Sequence, residues 1–185
     1  MNIFSKLSLA KKARKTFELA VKLDENNVEA REGLIIYHLN APGIAGGDLN
    51  KALQQAQILV KMDERKGRTL LARLYQKKKK MSLAAKEYQR LEALCGDSPE
   101  CSDFYNSYGY FLLQQKRYDE AIVKFQKQVE LAPDKANPHD SLGDGYRAAG
   151  RLADAADEYR RALQIDETFE PSGKKLEKVM KQLND

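Results

Sequence analysis

The stretch from Ser102 to Phe169 contains one pattern twice, and this pattern decides the fold. The first copy reads Tyr108-Gly109-x-x-Leu112 followed by Ala121, Phe125 and Pro133, and the second reads Leu142-Gly143-x-x-Tyr146 followed by Ala155, Tyr159 and Glu167. Each member of the first copy lies 34 residues before its equivalent, and this period is typical of stacked helix–turn–helix units. The glycines let two helices approach closely, and the aromatic side chains fill the remaining space.

This pattern resembles the tetratricopeptide repeat (TPR) family. In that family a small residue and an aromatic on helix A are followed by Ala and an aromatic on helix B, and then by Pro. The chain departs from the family at Gln128, where Ala is usual, and at Glu167, where Pro is usual. The resemblance implies an all-α TPR solenoid of about ten helices, in which antiparallel helix pairs stack into a right-handed superhelix.

We therefore expect a single TPR domain over residues 1–185. Its predicted segments are a half-repeat helix at 6–23, repeats at 28–64, 65–98, 102–135 and 136–169, and a C-terminal capping helix at 170–185. The repeat at 28–64 carries a long Gly-rich loop, which we expect to project from one face, with Asp48 as the N-cap of the helix that follows. Because the first helix has no helix A before it, we expect the chain to be part of a longer protein, the alternative being that this helix is a half-repeat cap.

Composition restricts the class of protein. Hydrophobic residues make up 42% and charged residues 32%, which fits an array of solvated helices, and no window approaches the roughly 20 apolar residues of a membrane span. We expect no membrane insertion. The net charge of +5 permits an acidic partner without requiring one.

A run of four lysines, Lys77-Lys78-Lys79-Lys80, is best interpreted as a solvated turn, because no aromatic residues interleave the lysines. We therefore expect no nucleic-acid partner.

Cys95 and Cys101 are the only cysteines, and they bracket a turn of Gly, Asp, Ser and Pro. Such a turn can bring two Cα atoms within disulfide distance, so we favour a disulfide over two free thiols. A bridge would place the protein in an oxidising compartment, which for a bacterial chain is the periplasm or the exterior. Free thiols would return it to the cytoplasm.

The sequence carries no recognisable catalytic motif. The two histidines, His38 and His139, fall in different repeats, and neither a nucleophile elbow nor a metalloprotease motif is present. We expect neither an enzyme nor a cofactor or metal site.

The predicted function is therefore that of an interaction scaffold, which binds a peptide or protein segment in the concave groove of the superhelix. The resemblance implies that helix A lines this groove, at Arg73, Lys77, Asn106, Tyr110, Gln114, Asp140, Asp144 and Arg147. The alternative is a targeting or regulatory part of a longer enzyme or of a secretion or pilus-assembly machine. The terminal helices offer a surface for a homo-oligomer.

Overall fold

The computed structural model describes residues 3–184, and they form ten α-helices and two short 3-10 helices without a strand. The α-helices are α1 Ile3–Leu23, α2 Val28–Asn40, α3 Leu49–Met62, α4 Glu64–Lys77, α5 Met81–Cys95, α6 Ser102–Gln114, α7 Tyr118–Leu131, α8 Ala136–Ala148, α9 Leu152–Ile165 and α10 Glu170–Asn184. The 3-10 helices are Gly43–Ala45 and Pro99–Cys101. The even-numbered helices from α2 to α8 are helix A of successive pairs, and the odd-numbered helices from α3 to α9 are helix B. The all-α prediction is confirmed.

Side-chain caps fix where three helices begin. The side chain of Asn27 accepts a hydrogen bond from the backbone N–H of Ala30 at 2.8 Å, at the start of α2. Asp48 accepts from the second and third residues of α3, as predicted, and Asp63 caps α4 in the same way. Each cap satisfies backbone donors that the first turn of a helix cannot pair internally.

The chain divides between Leu94 and Cys95 into two compact units, whereas the sequence predicts one domain. The division falls beside residues 96–101, which form the longest connection between successive helix pairs. In the first unit the core lies among α2, α3 and α4, with fully buried residues such as Ile35, Leu59 and Leu74. His38 of α2 is also buried.

The second unit contains the two pairs that carry the 34-residue pattern, α6 with α7 and α8 with α9. A side chain at Gly109 would meet the buried ring of Phe125 on α7, and one at Gly143 would come within 2.5 Å of the Tyr159 ring on α9. Both glycines therefore sit where helix A meets its own helix B, as the pattern predicts. The unusual Gln128 is buried in α7, and its amide donates to Asn137 Oδ1 at 3.2 Å.

Cys95 and Cys101 form a disulfide at the start of the second unit, with their Cα atoms 5.7 Å apart. Tyr105 packs against this bridge, and its hydroxyl donates to the backbone carbonyl of Gly96 at 3.1 Å. The bridge thus closes the turn that precedes α6.

The Gly-rich loop between α2 and α3 is largely folded back, in contrast to the projecting loop that we expected. Ala45 is buried, and the Tyr37 hydroxyl donates to its carbonyl, which ties the 3-10 turn to α2. Gly46 then takes a positive φ of 90°, a conformation that favours glycine. Only the tip projects, where Ile44 is 83% exposed.

The last helix, α10, covers the end of the second unit. Val179 is completely buried with Ala155, Ala156 and Tyr159 of α9, and Leu176 and Met180 pack against the same cluster. None of the described helices is long and apolar enough to cross a membrane.

Candidate functional site

The predicted groove residues fall in both units. Arg73 and Lys77 lie exposed on α4 of the first unit. The other six lie in the second unit, on α6 and α8, and five of these six join one hydrogen-bonded network. Gln114, the sixth, is exposed at the end of α6.

The network lies where three neighbouring helices meet, since α6 contacts α8 and α8 contacts α10. We call it the helix-A surface and define it by Asn106, Tyr110, Asp140, Asp144, Arg147 and Lys175. It belongs entirely to the second unit.

Asp144 is the centre of the helix-A surface. Its carboxylate accepts hydrogen bonds from the hydroxyls of Tyr110 at 2.8 Å and Tyr159 at 2.9 Å, and from Lys175 Nζ at 2.7 Å. Arg147 lies further away, with Nη2 3.5 Å from Asp144 Oδ1. The residue is only 8% exposed, so these donors replace the water that a buried carboxylate would otherwise need.

Asp140 lies one helical turn before Asp144, and each of its carboxylate oxygens also has a hydrogen-bond donor. Its two oxygens accept from Ser172 Oγ at 2.7 Å and from Lys175 Nζ at 2.6 Å, and both donors come from α10. Lys175 therefore bridges two buried carboxylates while 27% of its side chain remains exposed. The sequence predicts Asp140 and Asp144 as open lining, but the structure places both beneath α10.

The two tyrosines of this network act as donors. Burial, followed by the negative charge of Asp144, raises the pKa of Tyr110 and of Tyr159 far above the ordinary value. Both hydroxyls thus stay protonated at any physiological pH. Tyr110 is half-buried, and its ring contacts that of Phe125 edge-on, with the two ring centroids 5.1 Å apart. Tyr110 therefore packs against α7 and also exposes part of its side chain at the helix-A surface.

The accessible groups of the helix-A surface are mainly donors. Asn106 is half-buried, and its Oδ1 accepts from Ser141 Oγ at 3.0 Å, an arrangement that leaves its amide nitrogen without a partner among the described residues. Arg147 is 49% exposed along its side chain, and its Nε donates to the Tyr159 hydroxyl at 3.3 Å. Amide and guanidinium donors held in this way can bond the carbonyls of an extended polypeptide.

Sequence reasoning missed Lys175 and Ser172, because it treated α10 as a solvent-facing cap. The signal was available, since Lys175 lies 34 residues after Ser141 and α10 begins 34 residues after α8. Extending the period by one helix identifies α10 as another helix A, and its inward residues then belong to the same surface as those of α8.

No group of three His, Cys, Asp or Glu side chains suited to hold a metal ion occurs within residues 3–184. In the basic run, Lys78 Nζ donates to Asn50 Oδ1 at 2.7 Å, and Lys79 adopts a positive φ of 56° just after α4 ends. This run forms a turn, in agreement with the interpretation preferred for it.

Comparison with known proteins identifies the repeats. Residues 100–168 match the family model for the tetratricopeptide repeat. No curated protein sequence matches the chain.

Several solved structures share the fold. TTC0263, a thermophilic TPR protein of Thermus thermophilus, is 20% identical over 96% of this chain and 93% of its own, with a TM-score of 0.69. MamA from Desulfovibrio magneticus RS-1, solved from residue 41, is 17% identical over 86% of this chain and 87% of its own, with a TM-score of 0.67. YrrB, described as a TPR protein with an unusual peptide-binding site, is 17% identical over 92% and 85%, with a TM-score of 0.62.

At these identities the likeness concerns the fold. Residues 100–168 are therefore tetratricopeptide repeats, and the chain as a whole shares the fold of solved TPR proteins.

Proposed function

We propose that this protein is a non-catalytic interaction scaffold whose helix-A surface binds a peptide or protein segment. The observation that carries the proposal is the network centred on Asp144, which holds Asn106, Tyr110 and Arg147 in fixed positions on adjacent helices. A preorganised surface loses little side-chain entropy when a partner binds. The peptide-binding site named for YrrB supports the same class of function.

The charges of this surface suggest what kind of segment fits. Two carboxylates, Asp140 and Asp144, are matched by two cations, Lys175 and Arg147. The surface is therefore balanced, and its free hydrogen-bonding groups are donors, above all the amide nitrogen of Asn106. We infer that it binds the backbone of an extended, weakly charged segment rather than a strongly acidic or basic one.

Peptide selection tests this proposal. Random peptides of about 12 residues, displayed on phage with their C-termini joined to the coat protein, are selected on the full chain, and the winners are synthesised as C-terminal amides. We expect Asn106→Ala to weaken binding by about threefold to tenfold, the loss of one hydrogen bond. Gln164→Ala, which removes an exposed amide from α9, is the matched control and should change nothing. Equal affinities for both variants would refute the proposed surface.

We also propose that the protein works in an oxidising compartment, either the periplasm or the exterior of a bacterial cell. The Cys95–Cys101 disulfide supports this location, since such bridges persist outside the reducing cytoplasm. Protein purified from its native source without reductant should contain no free thiol in the denatured state. Two free thiols in that sample would favour the cytoplasm.

A further inference from the structure

We propose that a cavity in the first unit is a binding site for a carboxylate attached to a small apolar group. The cavity measures about 570 Å³ and lies among α1, α2 and α3, where Glu25 and Asn26 of the turn between α1 and α2 also line it. It is built from residues other than those of the helix-A surface. Its volume suits a ligand of one to three amino-acid residues in size.

Arg31 is the group that indicates an anionic ligand. It lines this cavity although it is only 4% exposed. Its guanidinium donates to the side-chain oxygen of Gln55 and, at 2.6 Å, to the backbone carbonyl of Glu25, both of which are uncharged acceptors. Its Nε donates to no group within residues 3–184, and no carboxylate there forms an ion pair with it.

An enclosed guanidinium without a counter-charge is unfavourable, and a bound carboxylate relieves this cost by supplying both charge and acceptor atoms. Arginine suits this role because its planar donors match the two oxygens of a carboxylate. The folded chain therefore holds one half of an ion pair beside an open cavity.

The remaining lining defines the rest of the ligand. Val21, Leu34, Ile58 and Met62 contribute an apolar wall. Lys22 and Lys61 add positive charge, and with Arg31 they outnumber the two acidic residues of the lining, Glu18 and Glu25. Glu18 is already engaged by Arg14 at 3.5 Å.

A carboxylate next to an apolar side chain satisfies both parts of this lining. It occurs at the C-terminus of a polypeptide that ends in Leu, Ile or Val, and also at a Glu side chain flanked by apolar residues. Both sources share the chemistry that Arg31 and the apolar wall recognise, and the experiment separates them.

The test is an NMR titration of the ¹⁵N-labelled full chain with three blocked peptides. The first is N-acetyl-Ala-Leu as the free acid, the second is the same peptide as its amide, and the third is N-acetyl-Leu-Glu-Leu-amide. We expect the free acid to shift the backbone amides around Asn26, Arg31 and Gln55 in a saturable way, with an affinity about tenfold higher than that of its amide. Binding of the third peptide as well would extend the ligand class to side-chain carboxylates.

Variants of Arg31 and Lys61 test whether these positively charged side chains cause the preference for the acid over the amide. Arg31→Gln should abolish the difference between the acid and the amide while the circular dichroism spectrum is unchanged. If that variant unfolds, Lys61→Gln is used instead to test the role of the cations. It should weaken binding of the acid by about threefold. Lys51→Gln is its control, because Lys51 is also exposed on α3 but lies outside the cavity, and this variant should leave binding of the acid unchanged.

Equal shifts with the acid and the amide would overturn the proposal, as would no saturable shift up to about 10 mM acid. Where Arg31→Gln unfolds, equal effects of Lys61→Gln and Lys51→Gln would do the same. None of these outcomes bears on the helix-A surface, which lies in the second unit and is tested with amidated peptides.

Discussion

At the scale of one residue, Gly109 illustrates how the 34-residue sequence pattern determines the packing of two helices. The space that a side chain would occupy there is filled by the ring of Phe125, which is completely buried and has little freedom to move. Gly173 on α10 provides the opposite case, because a side chain there would meet nothing within 4 Å. The two glycines differ in packing although both are helical.

We therefore expect Gly109→Leu to lower the free energy of unfolding by about 1–3 kcal/mol through overpacking. Gly173→Leu should be neutral or stabilising by up to about 1 kcal/mol, since leucine favours the helix and finds room. Urea unfolding of both variants measures the difference. Equal stability of the two variants would contradict the assignment of Gly109 to the interface between α6 and α7.

His38 carries a prediction about pH. The residue is buried, its Nδ1 has no partner within the described chain, and burial lowers its pKa below the ordinary value near 6.5. A backbone contact with Gly46 and the charge of Asp48 oppose this shift, while Lys51 and Arg14 add to it. The folded state therefore binds a proton at His38 less readily than the unfolded state does.

Because the pKa of His38 is depressed in the folded state, stability from this residue is present above about pH 6.5 and is lost as the pH falls below that value. We expect the free energy of unfolding of the wild type to decline between about pH 7 and pH 5, and the decline to be smaller in His38→Gln. The slope is the readout, so a uniform loss of stability in the variant does not affect the test. Identical slopes would show that His38 titrates alike in both states.

At the scale of the element, α10 is joined to α8 by charge as well as to α9 by apolar packing. Lys175 and Lys174 are adjacent in sequence, but Lys175 bridges Asp140 and Asp144 whereas Lys174 pairs only with Glu170 on the surface. The side chains are 27% and 72% exposed, respectively. A matched comparison of these lysines isolates the contribution of the buried bridge.

Lys175→Met should destabilise the protein by about 1–3 kcal/mol, because it leaves two buried carboxylates with fewer donors. Lys174→Met should stay within about 0.5 kcal/mol of the wild type, as expected for an exposed pair. Chemical denaturation at neutral pH gives both values. A Lys175→Met protein as stable as Lys174→Met would mean that α10 is held by its apolar face alone.

The elements were largely predictable, because hydrophobic spacing and capping act locally. Asp48 was identified as a cap from its position before an apolar periodic run, and its side chain does cap α3. The Gly-rich loop was not predicted correctly, since the hydrogen bond from Tyr37 to Ala45 joins residues whose partnership no local pattern reveals. Lys175 was missed for a different reason, because α10 was interpreted as a cap although the 34-residue period continues into it.

At the scale of the whole molecule, the 34-residue period establishes the stacking of helix pairs but not where the chain divides. The division at Leu94 and Cys95 arises beside a disulfide-closed turn that interrupts the period. Of the eight groove residues predicted from helix-A positions, Asn106, Tyr110, Asp140, Asp144 and Arg147 form one network in the second unit. The burial of Asp140 and Asp144 does not follow from their helix-A positions alone, because it is α10 that covers both carboxylates.

The central claim is that the helix-A surface of the second unit binds a polypeptide segment. Its most direct test is the NMR footprint of a selected, amidated peptide on the full ¹⁵N-labelled chain. We predict saturable shifts of the backbone amides on the helix-A side of α6, α8 and α10, with those of α7 and α9 unchanged. Shifts confined to α7 and α9, or to the first unit, would contradict the account.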